Sequence, residues 1–115
     1  MKKRDTIKES KDFQKLITTG KLIKNHYLIV YYLKNDFSKD RFGISVGKKI
    51  GNAVTRNHYK RQLRNIIDHN KNLCSNDKDY IIIIRKSCLN ASYQNIEDSF
   101  KKIMFNINKG EKDEN

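Results

Sequence analysis

The sequence predicts one α+β domain. Three observations carry that expectation. Apolar residues recur at helical spacing in three separate stretches, and β-branched and aromatic residues crowd three others. The length, 115 residues, suits one core and leaves little room for a second.

Taken in order, Ser10 is placed to cap a short helix from Lys11 to about Thr19. Phe13, Leu16 and Ile17 share one face of it and Gly20 is its stop. Tyr27 to Leu33 reads as a strand and Lys34 to Asp40 as the turn after it, with Asn35, Asp36 and Ser38 as turn formers. The segment Arg41 to Val46 alternates Phe42, Ile44 and Val46 with Arg41, Gly43 and Ser45, a strand whose second face is left open by small and polar residues. Tyr80 to Ile84 is apolar on both faces, as an interior strand covered on both sides would be. The last helix, Tyr93 to about Asn108, lines up Tyr93, Ile96, Phe100, Ile103, Met104 and Ile107, with Ser92 as its cap. The domain is expected to span residues 1–109. The short charged tail 110–115 has nothing to bury and is expected to be disordered.

Twenty-five Lys and Arg against thirteen Asp and Glu give a formal charge of +12, which points to a polyanionic partner. Lysine alone is weak evidence, because a chain rich in Lys, Asn and Ile is also what an AT-rich genome encodes. Arginine is more telling. There are six (Arg4, Arg41, Arg56, Arg61, Arg64, Arg85), and three of them fall within nine residues. From Arg41 to Ile67 there is no Asp or Glu, while seven Lys or Arg lie in that window.

That window holds a third helix, starting at about Ala53 with Asn52 as its cap. At about 100° per residue, Tyr59, Leu63, Ile66 and Ile67 gather into a packing stripe. Arg56, Asn57, Lys60, Arg61 and Arg64 fill an arc beside it. Arg56, Lys60 and Arg64 follow one another at i, i+4 with no carboxylate to relieve their repulsion. Phosphate oxygens fit such a surface, since Arg engages them through paired hydrogen bonds and a helix N-terminus adds backbone donors. Asn57 can read a base edge or a 2′-hydroxyl. An ordinary solvated basic face is the competing reading, and the arginine clustering, the acid-free window and the Lys48-Lys49 pair weigh against it.

The N-terminus is charged with no apolar segment behind it, and the longest apolar run is far too short to span a bilayer, so a cytoplasmic protein without a membrane partner is expected. Cys74 and Cys88 lack metal-ligand spacing and read as free thiols.

At the basic helix the chain closely resembles the protein subunit of bacterial ribonuclease P. That family's signature has the form Lys-Lys-Ile-Gly-Asn-Ala-Val-x-Arg-Asn-Arg-x-Lys-Arg-x-x-Arg. This chain reads Lys48-Lys49-Ile50-Gly51-Asn52-Ala53-Val54-Thr55-Arg56-Asn57-His58-Tyr59-Lys60-Arg61-Gln62-Leu63-Arg64. Asp12 to Lys15 with Gly20, Arg41 to Val46 and Asp79 to Lys86 extend the likeness over roughly residues 3 to 107. The resemblance implies the order αβββαβα, with a left-handed βαβ crossover through the arginine-rich helix, against the usual hand of such connections.

It also implies an activity, removal of the 5′ leader from precursor tRNA by hydrolysis of one phosphodiester bond. In that enzyme an RNA subunit with its magnesium ions performs the chemistry, and the protein holds no cofactor directly and meets no small-molecule substrate. The implied partners are the catalytic RNA and precursor tRNA. By position, Lys48, Lys49, Arg56 and Arg61 resemble the side that meets the RNA subunit. Phe13, Tyr31, Asn57, Lys60 and Arg64 resemble the side that meets the leader.

Two positions depart from the pattern. His58 stands for the motif's second arginine, but well away from the middle of the cationic arc. Ile17 stands where relatives often carry an aromatic that lines the leader cleft, which removes one stacking platform. From the residues alone, Tyr27 and Tyr31 share a strand face, and whether Gly43 and Ser45 face the same way depends on register. Phe13 and the tyrosines serve equally well as core. Two other function classes compete. A protein-only nuclease needs clustered carboxylates or placed acids and bases, and the basic core shows neither. A ribosomal or DNA-binding module would explain the helix but not the rest of the resemblance.

Overall fold

The computed structural model describes residues 5–7 and 9–113, with side chains through residue 110. The elements are α1 (Ser10–Thr19), β1 (Lys21–Lys24), β2 (Leu28–Lys34), β3 (Arg41–Ser45), α2 (Ala53–His69), β4 (Lys78–Ile84) and α3 (Tyr93–Asp113). Short 3-10 turns at Lys48–Ile50, Lys71–Leu73 and Lys86–Asn90 join the later ones. The order is the one the family resemblance implied. The strand β1 was not legible from the residues themselves, because four residues, Leu22 and Ile23 between two lysines, at a sheet edge carry too little pattern.

The strands form one sheet in the order β1-β2-β4-β3, with β4 antiparallel to β2 and parallel to β3. The interior position expected for the all-apolar strand is therefore the observed one, and six of its seven residues are buried. Period-2 alternation sorts the side chains onto two faces. Leu28, Val30, Phe42, Tyr80, Ile82 and Ile84 join Leu63, Ile66 and Ile67 of α2 and Ile96, Phe100, Ile103 and Ile107 of α3 in the main core. The Phe42 and Tyr80 rings, paired across β3 and β4, stack at 5.1 Å. On the other face α1 lies over β2 and β4 and buries Leu16.

Three expectations need correcting. Ser10 is the first residue of α1 and not its cap; Glu9 precedes the helix in an extended conformation and makes no side-chain cap bond. Leu16 and Phe13 carry the helix's contact with the sheet, while Ile17, one step further round the helix, is left 44% exposed. Tyr27 lies outside β2, because Asn25 Oδ1 accepts the Tyr27 and Leu28 amides at 3.2 and 3.0 Å and turns the chain there. Strand alternation does not reach it, and it packs against the main core and not beside Tyr31.

The helices of the core face start as the sequence predicts. Asn52 Oδ1 accepts the Thr55 amide at 3.0 Å, and Ser92 Oγ accepts the Asn95 amide at 3.1 Å. Gly51, at φ 152°, takes a backbone conformation open to glycine, and a Cβ there would press on Thr55 at 3.1 Å. At its far end α3 runs to Asp113, past the expected stop at Asn108 and through part of the stretch expected to be a disordered tail. A helix anchored as far as Ile107 propagates at low cost, and the about 1 kcal/mol that Gly110 costs is not enough to stop it. Residues 114 and 115 lie outside the described residues. Both cysteines are free, as expected, and both are buried. Desolvation pushes the Cys74 thiol up to about 12 and the Cys88 thiol to about 11.

Candidate nucleic-acid interface

The helix α2 is built by two opposed demands. Tyr59, Leu63, Ile66 and Ile67 are buried, and the last three are fully removed from water, a burial worth about 1.5 to 3 kcal/mol per side chain. Asn57, Arg61 and Arg64 are exposed, as are Lys48 and Lys49 in the turn before the helix. Lys60 and Arg56 are half-buried. For Arg56 the reason is angular. It falls within the apolar arc, between Leu63 and Ile67, and not beside it as the sequence reading had it. Its Nε is shielded and has no hydrogen-bond partner among the described residues. His58 sits on the opposite flank, where its Nε2 lies 3.2 Å from Gln62 Nε2.

None of Lys48, Lys49, Arg56, Lys60, Arg61 and Arg64 forms an ion pair among the described residues. The arginines outside α2 behave differently. Arg41 holds Asp79 through two hydrogen bonds, Nε to Oδ1 at 2.9 Å and Nη2 to Oδ2 at 2.6 Å. It stands 3.8 Å from Asp12 and places its guanidinium 4.4 Å from the centre of the Phe37 ring. The Asp79 hydrogen bond raises the pKa of Arg41, with burial opposing. Arg85 donates to the Asn25 carbonyl at 2.8 Å. Arg41 and Arg85 are thus used within the fold, and the unpaired arginines of the described chain are those of α2.

The second face of the sheet carries the two aromatics expected to meet the leader. Register aligns Leu22, Tyr31, Ile81 and Gly43 in one row across β1, β2, β4 and β3. Above the end of that row lies Phe13 of α1. A Cβ built on Gly43 would stand 2.6 Å from Phe13 Cζ, so the face at Gly43 is filled by a ring and is not open as the sequence suggested. A glycine inside a strand is the signal of such a close approach. Gly43→Ala is expected to push Phe13 aside and destabilise the domain by about 1 to 3 kcal/mol. Denaturant melts of the two proteins check this, and coincident midpoints would show that α1 yields freely.

Phe13 and Tyr31 therefore share one surface, next to the half-buried Ile29 and Ile83 and the exposed Leu22. Asn57, Lys60 and Arg64 stand on α2, whose apolar stripe enters the core on the opposite side of the sheet, against β3. The edge strand β3 lies between the two groups. Among the described residues no three His, Cys, Asp or Glu are grouped to hold a metal, and no helix is long and apolar enough to cross a membrane.

Fold and surface together define a small α+β domain in which helix α2 spans core and solvent with a stripe of cations left without carboxylate partners among the described residues. The chain matches the family model described as Ribonuclease P over residues 1–108. It is 46% identical over 108 residues to a ribonuclease P protein component of Mycoplasma mycoides, covering 93% of this chain and 99% of that one. Its identity to the corresponding protein of Streptococcus pneumoniae is 38% over 104 residues, 90% of this chain and 85% of the other. Among solved structures, the RNase P protein of Thermotoga maritima superposes with a TM-score of 0.82 at 28% identity, over 88% of this chain and 96% of that one. A Staphylococcus aureus RNase P protein mutant described as defective in mRNA degradation activity gives 0.81 at 34% identity, over 93% and 90%. The chain belongs to the bacterial ribonuclease P protein family.

Proposed function

We propose that this protein binds the catalytic RNA of ribonuclease P and the 5′ leader of precursor tRNA, and so assists removal of the leader. The observation that carries the reading is the set of α2 cations without carboxylate partners among the described residues, while Arg41 and Arg85 are used internally. Lys48, Lys49, Arg56 and Arg61 take phosphates of the RNA subunit. Asn57, Lys60 and Arg64 act with Phe13 and Tyr31 on the leader, whose single strand passes the β3 edge and lays unpaired bases on the aromatic face. Stacking of this kind is worth about 1 to 3 kcal/mol per base and tolerates sequence.

Hydrolysis of the phosphodiester belongs to the RNA subunit and the magnesium ions it holds. The contribution of this chain is orientation and charge. Its cations lower the repulsion between two polyanions, which raises the affinity for precursor over mature tRNA and strengthens the RNA's hold on its ions indirectly. The setting is the cytoplasm, with no membrane partner.

Reconstitution tests the reading. Adding the protein to the transcribed catalytic RNA is expected to lower both the magnesium and the precursor concentrations needed for half-maximal cleavage. An unchanged cleavage rate across both titrations would refute it. Cleavage of precursor tRNA by RNA-free protein would move the chemistry onto this chain.

A further inference from the structure

The outer face of α3 is not used by the function proposed above, and it carries an aromatic that the fold does not explain. Phe105 is 67% exposed. Phe37 is also exposed, but Arg41 covers its ring. Phe105 makes no aromatic or cation–π contact among the described residues. Around it, at i−4, i−3 and i+4, stand Lys101, Lys102 and Lys109, all exposed and none in an ion pair among the described residues. Among the acids whose side chains are described, the nearest on this face, Asp98, lies two turns before Phe105 and accepts the Gln94 side chain at 2.9 Å.

An apolar ring framed by three cations at one helical spacing has two complementary needs, a flat surface to cover the ring and anions to answer the charge. An unpaired nucleotide supplies both, since its base stacks on an aromatic ring and its phosphates reach lysines one turn either side. A second copy of this chain supplies the ring but sets lysine against lysine, within molecules that each carry +12. α3 packs beside α2 on the sheet face opposite Phe13 and Tyr31, so the RNA that reaches it is the one lying along α2. We propose that the Phe105 face of α3 is a second RNA-binding surface, taking an unpaired stretch of the catalytic RNA. This rests on the reading of α2 as the RNA-subunit contact.

The test is a titration of the full-length protein against transcribed catalytic RNA at several salt concentrations. It compares wild type, Phe105→Ala, Phe105→Trp, the triple variant Lys101→Ala/Lys102→Ala/Lys109→Ala, and Arg61→Ala on the other helix. Phe105→Ala is expected to bind about tenfold more weakly, the loss of one stacked base, and Phe105→Trp to retain wild-type affinity. The lysine triple variant is expected to flatten the dependence of log affinity on log salt by about 2. Phe105→Ala binding within twofold of wild type while Arg61→Ala is weakened would overturn the proposal. So would loss of a protein dimer in Phe105→Ala, seen by sedimentation, with RNA affinity unchanged. If Arg61→Ala binds normally and Phe105→Ala does not, the reading of α2 fails, and with it the proposal that α3 adds a second surface to that contact.

Discussion

Replacing Arg56 and Arg61 together by alanine is expected to weaken binding to the catalytic RNA by about 100-fold or more. Each charge-assisted hydrogen bond to a phosphate contributes about 1.5 to 3 kcal/mol, and 1.4 kcal/mol is a factor of ten. The salt dependence should flatten by about 1.4 to 1.8, since each phosphate neutralised contributes about 0.7 to 0.9 to the slope. Arg56 stands in the apolar arc, so a thermal melt of the free variant separates lost contacts from a loosened helix. Lys60→Ala/Arg64→Ala should behave differently, leaving affinity for the RNA largely intact and eroding the preference for precursor over mature tRNA. Equal losses in both assays for both pairs would show that the helix does not divide its two partners by face.

Asp79→Ala is expected to cost about 3 to 5 kcal/mol of stability, because it strands a cation in a site that has closed around the pair. The side chains of Arg41 and Asp79 are only 17% and 10% exposed. Asp79 accepts Arg41 twice and the Asn35 side chain at 2.7 Å, so its loss leaves several donors unanswered. It also frees the turn that Asn35 organises by accepting the Phe37 amide and donating to the Lys39 carbonyl. For a domain near 100 residues, that loss lowers Tm by roughly 12 °C or more. The double variant Arg41→Met/Asp79→Leu removes both charges and should recover most of it. A single Asp79→Ala melt within 2 °C of wild type, by an about-2 °C criterion for changes under 0.5 kcal/mol, would show that the pair is solvated.

The parts of the fold legible in the sequence were those with a single cause. The apolar stripe and the Asn52 cap of α2 follow from local spacing, and β4 announces its interior place because its stretch from Tyr80 to Ile84 is apolar on both faces. What could not be read depended on a distant partner. Gly43 looks like an opening until Phe13 of another element fills it. Arg41 looks like one more cation of the acid-free window, yet its partner Asp79 lies 38 residues on. Tyr27 has the right parity to join Tyr31, and a single asparagine in the preceding turn sends it elsewhere. The cations of α2 were legible as an array, and the place of Arg56 between Leu63 and Ile67 also follows from about 100° per residue, while the shielding of its Nε shows only in the packed core.

The position of β4 bears on how the protein is made. The strand that joins the two halves of the sheet is the last to leave the ribosome, after β2, β3 and the whole of α2. Until it emerges, β2 and β3 have no common neighbour to pair with, and their apolar faces wait in a nascent chain, for a few seconds at 5 to 20 residues per second. A premature stop anywhere before Lys78 should therefore yield a fragment that aggregates or is degraded, and not a smaller domain.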